Sequence, residues 1–240
     1  MTVNFPLPLQ VDRWLDCLLP PRCLLCHGAG ADGRDLCAHC HADLPWLTTA
    51  CPACALPLPA VDAAERLPCG RCQRRPPPLQ QTRAAFLYRT PLDRLLPRLK
   101  FHDGLAAARL LAGLMADVAR DWPQPQAIVP VPLHPGRLRQ RGYDQALELA
   151  RPLARRLRLP LRADLLRRVR PTSAQSRLDA TARRRNLRRA FAGNPTGALP
   201  AHVALVDDVM TTGATLHAAA AALHRAGVAR VDAWVCARVP

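Results

Sequence analysis

His202-Val-Ala-Leu-Val-Asp-Asp-Val-Met-Thr-Thr-Gly-Ala-Thr-Leu216 is the stretch on which the reading of this 240-residue chain turns. The apolar run Val203 to Val206 has the length and β-branching of a buried strand, and it ends in two adjacent carboxylates, Asp207 and Asp208. A Thr/Gly turn follows, and an Ala-rich helix is expected from about Ala214. A strand that stops at two carboxylates offers acceptors for two hydroxyl groups. A turn leading into a helix start offers backbone N–H groups to an anion, with the helix dipole favouring the negative charge. Gly213 lets the backbone approach such an anion where a side chain would block it. Asp207, Asp208, Thr211, Thr212, Gly213, Ala214 and Thr215 are therefore candidate pocket residues for a phosphorylated sugar.

Upstream, Arg83 to Tyr88 reads as a strand, Pro91 to Phe101 and Leu105 to Ala119 as helices, and Ala127 to Leu133 as a short buried strand. That strand runs into His134-Pro-Gly-Arg-Leu-Arg-Gln-Arg141, read as a loop carrying Arg137, Arg139 and Arg141, with a helix from Gln145 to Leu157 beyond it. Strands alternating with helices predict an α/β fold with a parallel sheet, and in such sheets ligands bind beyond the carboxyl ends of the strands. The block 170–191 begins polar, as a loop, and ends in an Arg-rich helical turn. Val228 to Ala237 is the last expected strand, after a helix closed by Gly227.

The formal charge is +16, from 34 basic and 18 acidic residues. Fourteen Arg and two Asp fall within 151–190, so this stretch supplies +12 of it. The single lysine, Lys100, beside an excess of Arg marks a compositional bias. A local +12 nonetheless favours polyanions such as pyrophosphate or a nucleic-acid backbone. Asp12, Arg13 and Asp16 interrupt the N-terminal stretch, excluding a signal-peptide core, and residues 1–19 are expected to form a short helix. The Ala-rich stretch 214–226 is too short to span a bilayer. No membrane insertion is expected, and the expected location is cytoplasmic.

Eight of the ten cysteines form four Cys-x-x-Cys pairs: Cys23/Cys26, Cys37/Cys40, Cys51/Cys54 and Cys69/Cys72. Each pair sets two thiolates on one tight turn, and two such turns complete a tetrahedral zinc site. The sequential grouping gives one ion to Cys23, Cys26, Cys37 and Cys40 and another to Cys51, Cys54, Cys69 and Cys72; a cross-braced grouping of first with third and second with fourth is the alternative. Four thiolates leave no open coordination position, so both sites are expected to be structural. A segment of some fifty residues buries too little apolar surface to fold alone, and zinc supplies roughly 10–16 kcal/mol per site in peptide systems. The triple proline at 76–78 marks a boundary. The expected organisation is a helix over 1–19, a double zinc-ribbon module over 20–76 and an α/β domain over 77–240.

These segments resemble the ComF family, competence-associated proteins that join a zinc ribbon to a type I phosphoribosyltransferase domain. The resemblance rests on the four Cys pairs, Leu99-Lys-Phe-His102, Val129-Pro-Val-Pro-Leu-His134, Arg141-Gly-Tyr-Asp-Gln145, Gln175 with Arg183 and Asn186, and Val206-Asp-Asp-Val-Met-Thr-Thr-Gly213. Asp144 departs from it, standing where the family usually has Asn. The resemblance implies 5-phosphoribosyl-1-pyrophosphate (PRPP), with Mg²⁺, as the ligand. By it, Asp207 and Asp208 hold the ribose hydroxyls, and the Thr211–Thr215 loop cradles the 5-phosphate. Pro132, Leu133 and His134 face the pyrophosphate, and Arg137, Arg139 and Arg141 neutralise it. Gln175 and Arg183 belong to the flexible catalytic loop. It also implies a role in natural transformation. Two further readings stay open beside a PRPP-dependent transferase: a non-catalytic binder of nucleotide or single-stranded DNA, and a scaffold whose ribbon docks a competence-machinery protein such as a helicase. Elemental analysis of the purified chain should return two zinc ions per chain; a value of zero removes the ribbon assignment.

Overall fold

The computed structural model describes residues 20–59, 67–100, 104–170, 190–194 and 197–240, without the side chains of 100, 140 and 141. The expected helix over 1–19, with Cys17, and the expected loop residues Gln175, Arg183 and Asn186 lie outside the described residues. The chain divides into two compact units after Leu44.

In the first unit the described residues form tight turns around Cys23 and Cys26 and one short helix, α1 (Ala38–Ala42). The second unit begins by laying residues 45–47 along the edge of β1 (Thr82–Leu87). Leu87 N–H donates to the Pro45 carbonyl at 2.8 Å and Leu47 N–H to the Ala85 carbonyl at 3.0 Å. Trp46 stacks on Phe86 with ring centroids 4.5 Å apart. A short helix, α2 (Gly70–Arg74), precedes β1.

After β1 come α3 (Leu92–Leu95) and a 3-10 turn (Leu96–Lys100), then α4 (Gly104–Ala119), β2 (Ala127–Pro130), α5 (Pro135–Arg141) and α6 (Gln145–Leu157). The expected helix over 91–101 becomes a single α turn followed by 3-10 turns, because Pro97 has no N–H to give to the preceding turn. Residues 137–141, read as a loop, are helical. Pro135 fits the first turn, the His134 ring accepts from Gly136 N–H at 3.1 Å, and Gly142 closes the helix at φ +81°.

A short antiparallel pair, β3 (Leu166–Arg168) with β4 (Phe191–Gly193), frames the 171–189 segment. The chain ends with β5 (His202–Met210), α7 (Ala214–Arg225) and β6 (Arg230–Arg238). Four strands make a fully parallel sheet in the order β1-β6-β5-β2. Being parallel and covered on both faces, β5 and β6 are near-continuous in apolar residues, as such strands must be.

Side chains along β5 point alternately to the two faces. Val203 and Leu205 join α7, through Leu216, Ala219, Ala220 and Leu223, and the Cys51–Cys72 region in one buried cluster. Ala204 and Val206 are left for the other face, where α4 and α6 pack against each other and against the sheet. The first residues of β5 and β6 are tied by a buried carboxylate: Asp232, 1% exposed, accepts from Arg230 and lies 2.9 Å from His202 Nε2.

Candidate phosphate site and cysteine centres

The sequence places Asp207 and Asp208 at the end of a strand over 203–206. The structure carries β5 on to Met210, because parallel pairing with β6 continues from His202↔Arg230 to Met210↔Arg238. The two carboxylates therefore ride inside the carboxyl end of the strand and are held by it. Asp207 Oδ1 accepts from Asp208 N–H at 2.9 Å, and Asp208 Oδ1 accepts from Val209 N–H at 2.8 Å.

Immediately beyond, Asp207 and the backbone from Val209 to Leu216 line a cavity of about 90 Å³. Gly213 sits at φ +77° at the head of α7, a conformation that L side chains rarely adopt. A Cβ there would also lie 2.5 Å from Met210 Cε. Gly213 at the N-cap has no side chain to cap α7, and the helix start with its N–H groups lies at the cavity's end, where an anion is favoured. The Thr212 hydroxyl lies 3.4 Å from Ala214 N, keeping a second polar group on the turn.

The second wall comes from the loop after β2. Asp144 accepts with one oxygen from Ala146 and Leu147 N–H, capping α6, and with the other from Leu133 N–H at 2.7 Å. Both oxygens act as acceptors toward N–H groups. An Asn in this pose would turn an NH₂ donor toward one of them, which accounts physically for the Asp in this chain. The Leu133 amide is consequently engaged within the protein, as is the His134 ring, which caps α5.

Charge converges at this end of the sheet. Burial raises the pKa of Asp207 well above the ordinary carboxylate value, with the Asp208 charge second and Asp144 contributing. Burial also raises Asp144, opposed by its three backbone donors and reinforced by Asp208. The counter-charge is Arg168, at the end of β3, which stacks over the Phe191 ring at 5.3 Å. Burial lowers its pKa first and Arg137 next, while Asp207 and Asp144 hold it charged.

Of the expected arginines, Arg137 lies close enough to Arg168 for the two like charges to repel, Arg139 is exposed on α5, and the Arg141 side chain is outside the described residues. Arg168 was not singled out from sequence. It lay inside the +12 stretch, where no pattern separated it from thirteen other arginines, although Leu165-Leu-Arg-Arg-Val169 between polar segments was a legible strand.

The eight paired cysteines fall into the two sequential groups and not the cross-braced ones. In each group the ligating atoms lie within 4.8 Å of one another. Cys26 Sγ is 3.7 Å from Cys37 Sγ, and Cys54 Sγ is 3.8 Å from Cys69 Sγ. A tetrahedron of sulfurs about 2.3 Å from a central zinc has edges of about 3.8 Å, so both sets fit that ion.

The two centres share one local design. Cys23 N–H donates to the Gly28 carbonyl and His27 N–H to the Cys23 carbonyl; Cys51 and Ala55 repeat both bonds, with Leu56 in place of Gly28. His27 and Ala55 take the same left-handed conformation at φ 65° and 53°. The second turn of each centre starts a short helix, α1 after Cys37 and α2 after Cys69. Burial would raise the Cys23 thiol, but N–H groups of Cys26, Cys37 and Leu25 outweigh it and hold its pKa near 6, which favours the metal-binding thiolate. Cys236 is a buried core residue.

The chain matches two families: the double zinc ribbon domain over residues 14–73 and the phosphoribosyl transferase domain over residues 99–240. It belongs to the competence protein F-like (ComF) family, in which these two parts occur in one chain. It is 37% identical to the DNA utilization protein YhgH of Salmonella typhi over 228 residues, 92% of this chain and 98% of that one. It is 37% identical to competence protein F of Haemophilus influenzae over 178 residues, 71% of this chain and 78% of that one. Among solved structures it is similar to an allosteric regulatory enzyme of purine biosynthesis, at 17% identity and a TM-score of 0.40, covering 59% of this chain and 30% of that one. Among the described residues no helix is long and apolar enough to cross a membrane.

The raised pKa of Asp207 has a measurable consequence. A folded-state pKa above the ordinary 3.8 means that the charged form is penalised on folding, and the penalty grows as pH rises from about 4 toward the raised value. Asp207→Asn should therefore raise the Tm of the ligand-free chain at pH 8 by roughly 2–4 °C, with a smaller gain at pH 5. Thermal unfolding at the two pH values checks it, and a loss of stability at pH 8 would contradict the assigned burial of charge.

Proposed function

We propose that the chain binds PRPP, with Mg²⁺, at the carboxyl end of β5, and that it acts as a phosphoribosyltransferase-like protein in DNA uptake or use. The observation that carries this reading is the 90 Å³ cavity at the start of α7, with Asp207 on its rim and Gly213 in the left-handed conformation at its turn. The 5-phosphate would sit in the Thr211–Thr215 loop. Asp207 and Asp208 would accept from the two ribose hydroxyls, which directs C1 and its pyrophosphate toward the loop after β2. Arg137 and Arg168 stand on that side, where departing negative charge needs cations.

Mg²⁺ prefers oxygen ligands, and the adjacent carboxylates Asp207 and Asp208 match that preference, while both Asp144 oxygens are taken by backbone N–H groups. When bound, the ion would neutralise the pyrophosphate. The protein's own contribution is then positional and electrostatic: holding the sugar, orienting C1 and presenting fixed cations where charge develops. The role in DNA handling is brought by the names of the relatives, a DNA utilization protein and a competence protein.

Calorimetry with PRPP and Mg²⁺, together with an assay for released pyrophosphate, tests the reading. Binding should fall at least about 100-fold in the Asp207→Ala/Asp208→Ala chain, the loss expected when charge-assisted contacts to a buried ligand are removed. If native protein neither binds nor consumes PRPP, the assignment is wrong.

A second reading, single-stranded DNA binding, draws on a groove of about 690 Å³ in the same unit. It shares Thr212 and Ala214 with the phosphate cavity; its walls are the α2 region and the 76–78 prolines on one side and α7 on the other, and Arg71, Arg75 and Arg225 line it without a carboxylate among the lining residues. Alanines 214, 218 and 221 give it an apolar floor, a surface on which bases can lie while guanidiniums meet phosphates. Replacing the three arginines with Gln should weaken binding of an oligodeoxynucleotide and flatten its dependence on log salt by up to roughly 0.7 per contacted phosphate. Unchanged affinity and slope would exclude the groove as a strand path.

A further inference from the structure

Arg238 closes β6 and is buried, 3% exposed, without a carboxylate partner among the described residues. A buried guanidinium is costly unless its donors are met, and an apolar residue would fill the same space more cheaply if packing were its purpose. Its donors are met by carbonyls from two different parts of the protein. Nε–H donates to the Cys54 carbonyl at 2.9 Å, and an Nη1 N–H donates to the Met210 carbonyl at 3.2 Å; Nη1 also contacts the carbonyl of Val239.

Cys54 belongs to the second four-cysteine centre, and Met210 is the residue before the Thr211–Thr215 loop. Met210 also carries its methyl group under Gly213, where a Cβ would lie 2.5 Å from Cε. The Cys51–Cys54 turn is fixed to the sheet independently of Arg238. Thr82, 1% exposed, donates its N–H to the Pro52 carbonyl at 2.8 Å and its hydroxyl to the Ala53 carbonyl at 2.9 Å. At the turn's other side Cys69 N–H donates to Cys51 Sγ at 3.2 Å, tying the two halves of the centre together.

We propose that Arg238 is a positioning residue through which the second cysteine centre sets the geometry of the phosphate loop. The guanidinium is a rigid planar fork, so fixing the Cys54 carbonyl fixes the direction from which Met210 is held. With the metal in place, the Cys51–Cys54 turn is immobile, the fork is immobile, and the Met210 carbonyl enters the loop at one angle. Without the metal, the turn keeps only its backbone bonds and those to Thr82, the Cys54 carbonyl is held less firmly, and the Met210 carbonyl relies on its other donor, Val239 N–H at 3.0 Å. The centre thereby acts on ligand affinity as well as on stability. The functional half of this inference rests on the reading of Thr211–Thr215 as a phosphate site; the mechanical half does not.

Hydrogen exchange of the full chain, read by mass spectrometry with no phosphate ligand present, tests the mechanical half. In Arg238→Lys, which keeps the cation and loses the fork, the amides of 211–216 should exchange about tenfold faster while β2 is unchanged and both zinc ions are retained. Cys69→Ser should produce the same selective acceleration in the native background and add little in Arg238→Lys, the non-additivity expected of one chain of contacts. A folded, zinc-replete Arg238→Lys chain with native exchange at 211–216 overturns the proposal. So does a Cys69→Ser effect of equal size in both backgrounds.

Should Arg238→Lys fail to fold, the native chain treated with a zinc chelator decides. Selective loosening of 211–216 supports the brace, and uniform loosening or none refutes it. Titration with PRPP reads the functional half separately, with about tenfold weaker binding expected in Arg238→Lys. If the native chain ignores PRPP but its loop still responds to Arg238 and to zinc, the ligand reading fails and the brace stands.

Discussion

The parallel ladder between β5 and β6 is the constraint on which the rest of the protein depends. It runs in one register from His202↔Arg230 to Met210↔Arg238, further than either apolar run would require. The extra length carries Asp207 and Asp208 to the carboxyl edge of the sheet inside regular structure. It also sets Met210 at the mouth of the Thr211–Thr215 loop and brings Arg238 beside it. The start of the ladder is pinned by the contact of Asp232 with His202 across the two strands, so a slip in register costs the buried carboxylate that partner. A one-residue slip would also turn Asp207 to the opposite face.

At that edge the described residues gather three carboxylates against two guanidiniums. Asp207, Asp208 and Asp144 converge, and Arg168 with Arg137 supplies the nearby cations. Burial and the neighbouring Asp208 charge make Asp207 costly to keep ionised in the ligand-free chain. The same arrangement gives a divalent cation and a polyol something to gain on arrival. Carboxylates placed for binding at the expense of stability are the usual sign of a site rather than of a scaffold.

The two cysteine centres look alike in sequence and in local hydrogen bonding, yet they occupy different places in the molecule. The first belongs to the smaller unit. The second packs into the cluster shared by α7 and the sheet, with Cys51, Cys54 and Cys72 buried among Val, Leu and Ala side chains. Thr82 and Arg238 stitch it to β1 and β6. A zinc ribbon read along the chain as a single module is in this respect partly a component of the α/β unit.

The sequence alone determined the features written in local pattern. The apolar runs mark the parallel strands, the Asp-Asp-x-x-Thr-Thr-Gly order marks a strand, turn and helix start, and Cys-x-x-Cys spacing marks the two four-cysteine clusters. Helix α6 was legible to the residue, because a capping acid precedes it and an amphipathic run follows. What sequence could not decide depends on partners distant along the chain. Whether the cysteine groups are sequential or crossed is settled by which turns meet in space. The 137–141 segment looks like a basic loop until a histidine ring caps it. Asp144 looks like a departure until its second oxygen meets Leu133. Arg168 and Arg238 carry no signal in a chain crowded with arginine, since a guanidinium acquires a role only from the carboxylates or carbonyls that tertiary structure sets around it.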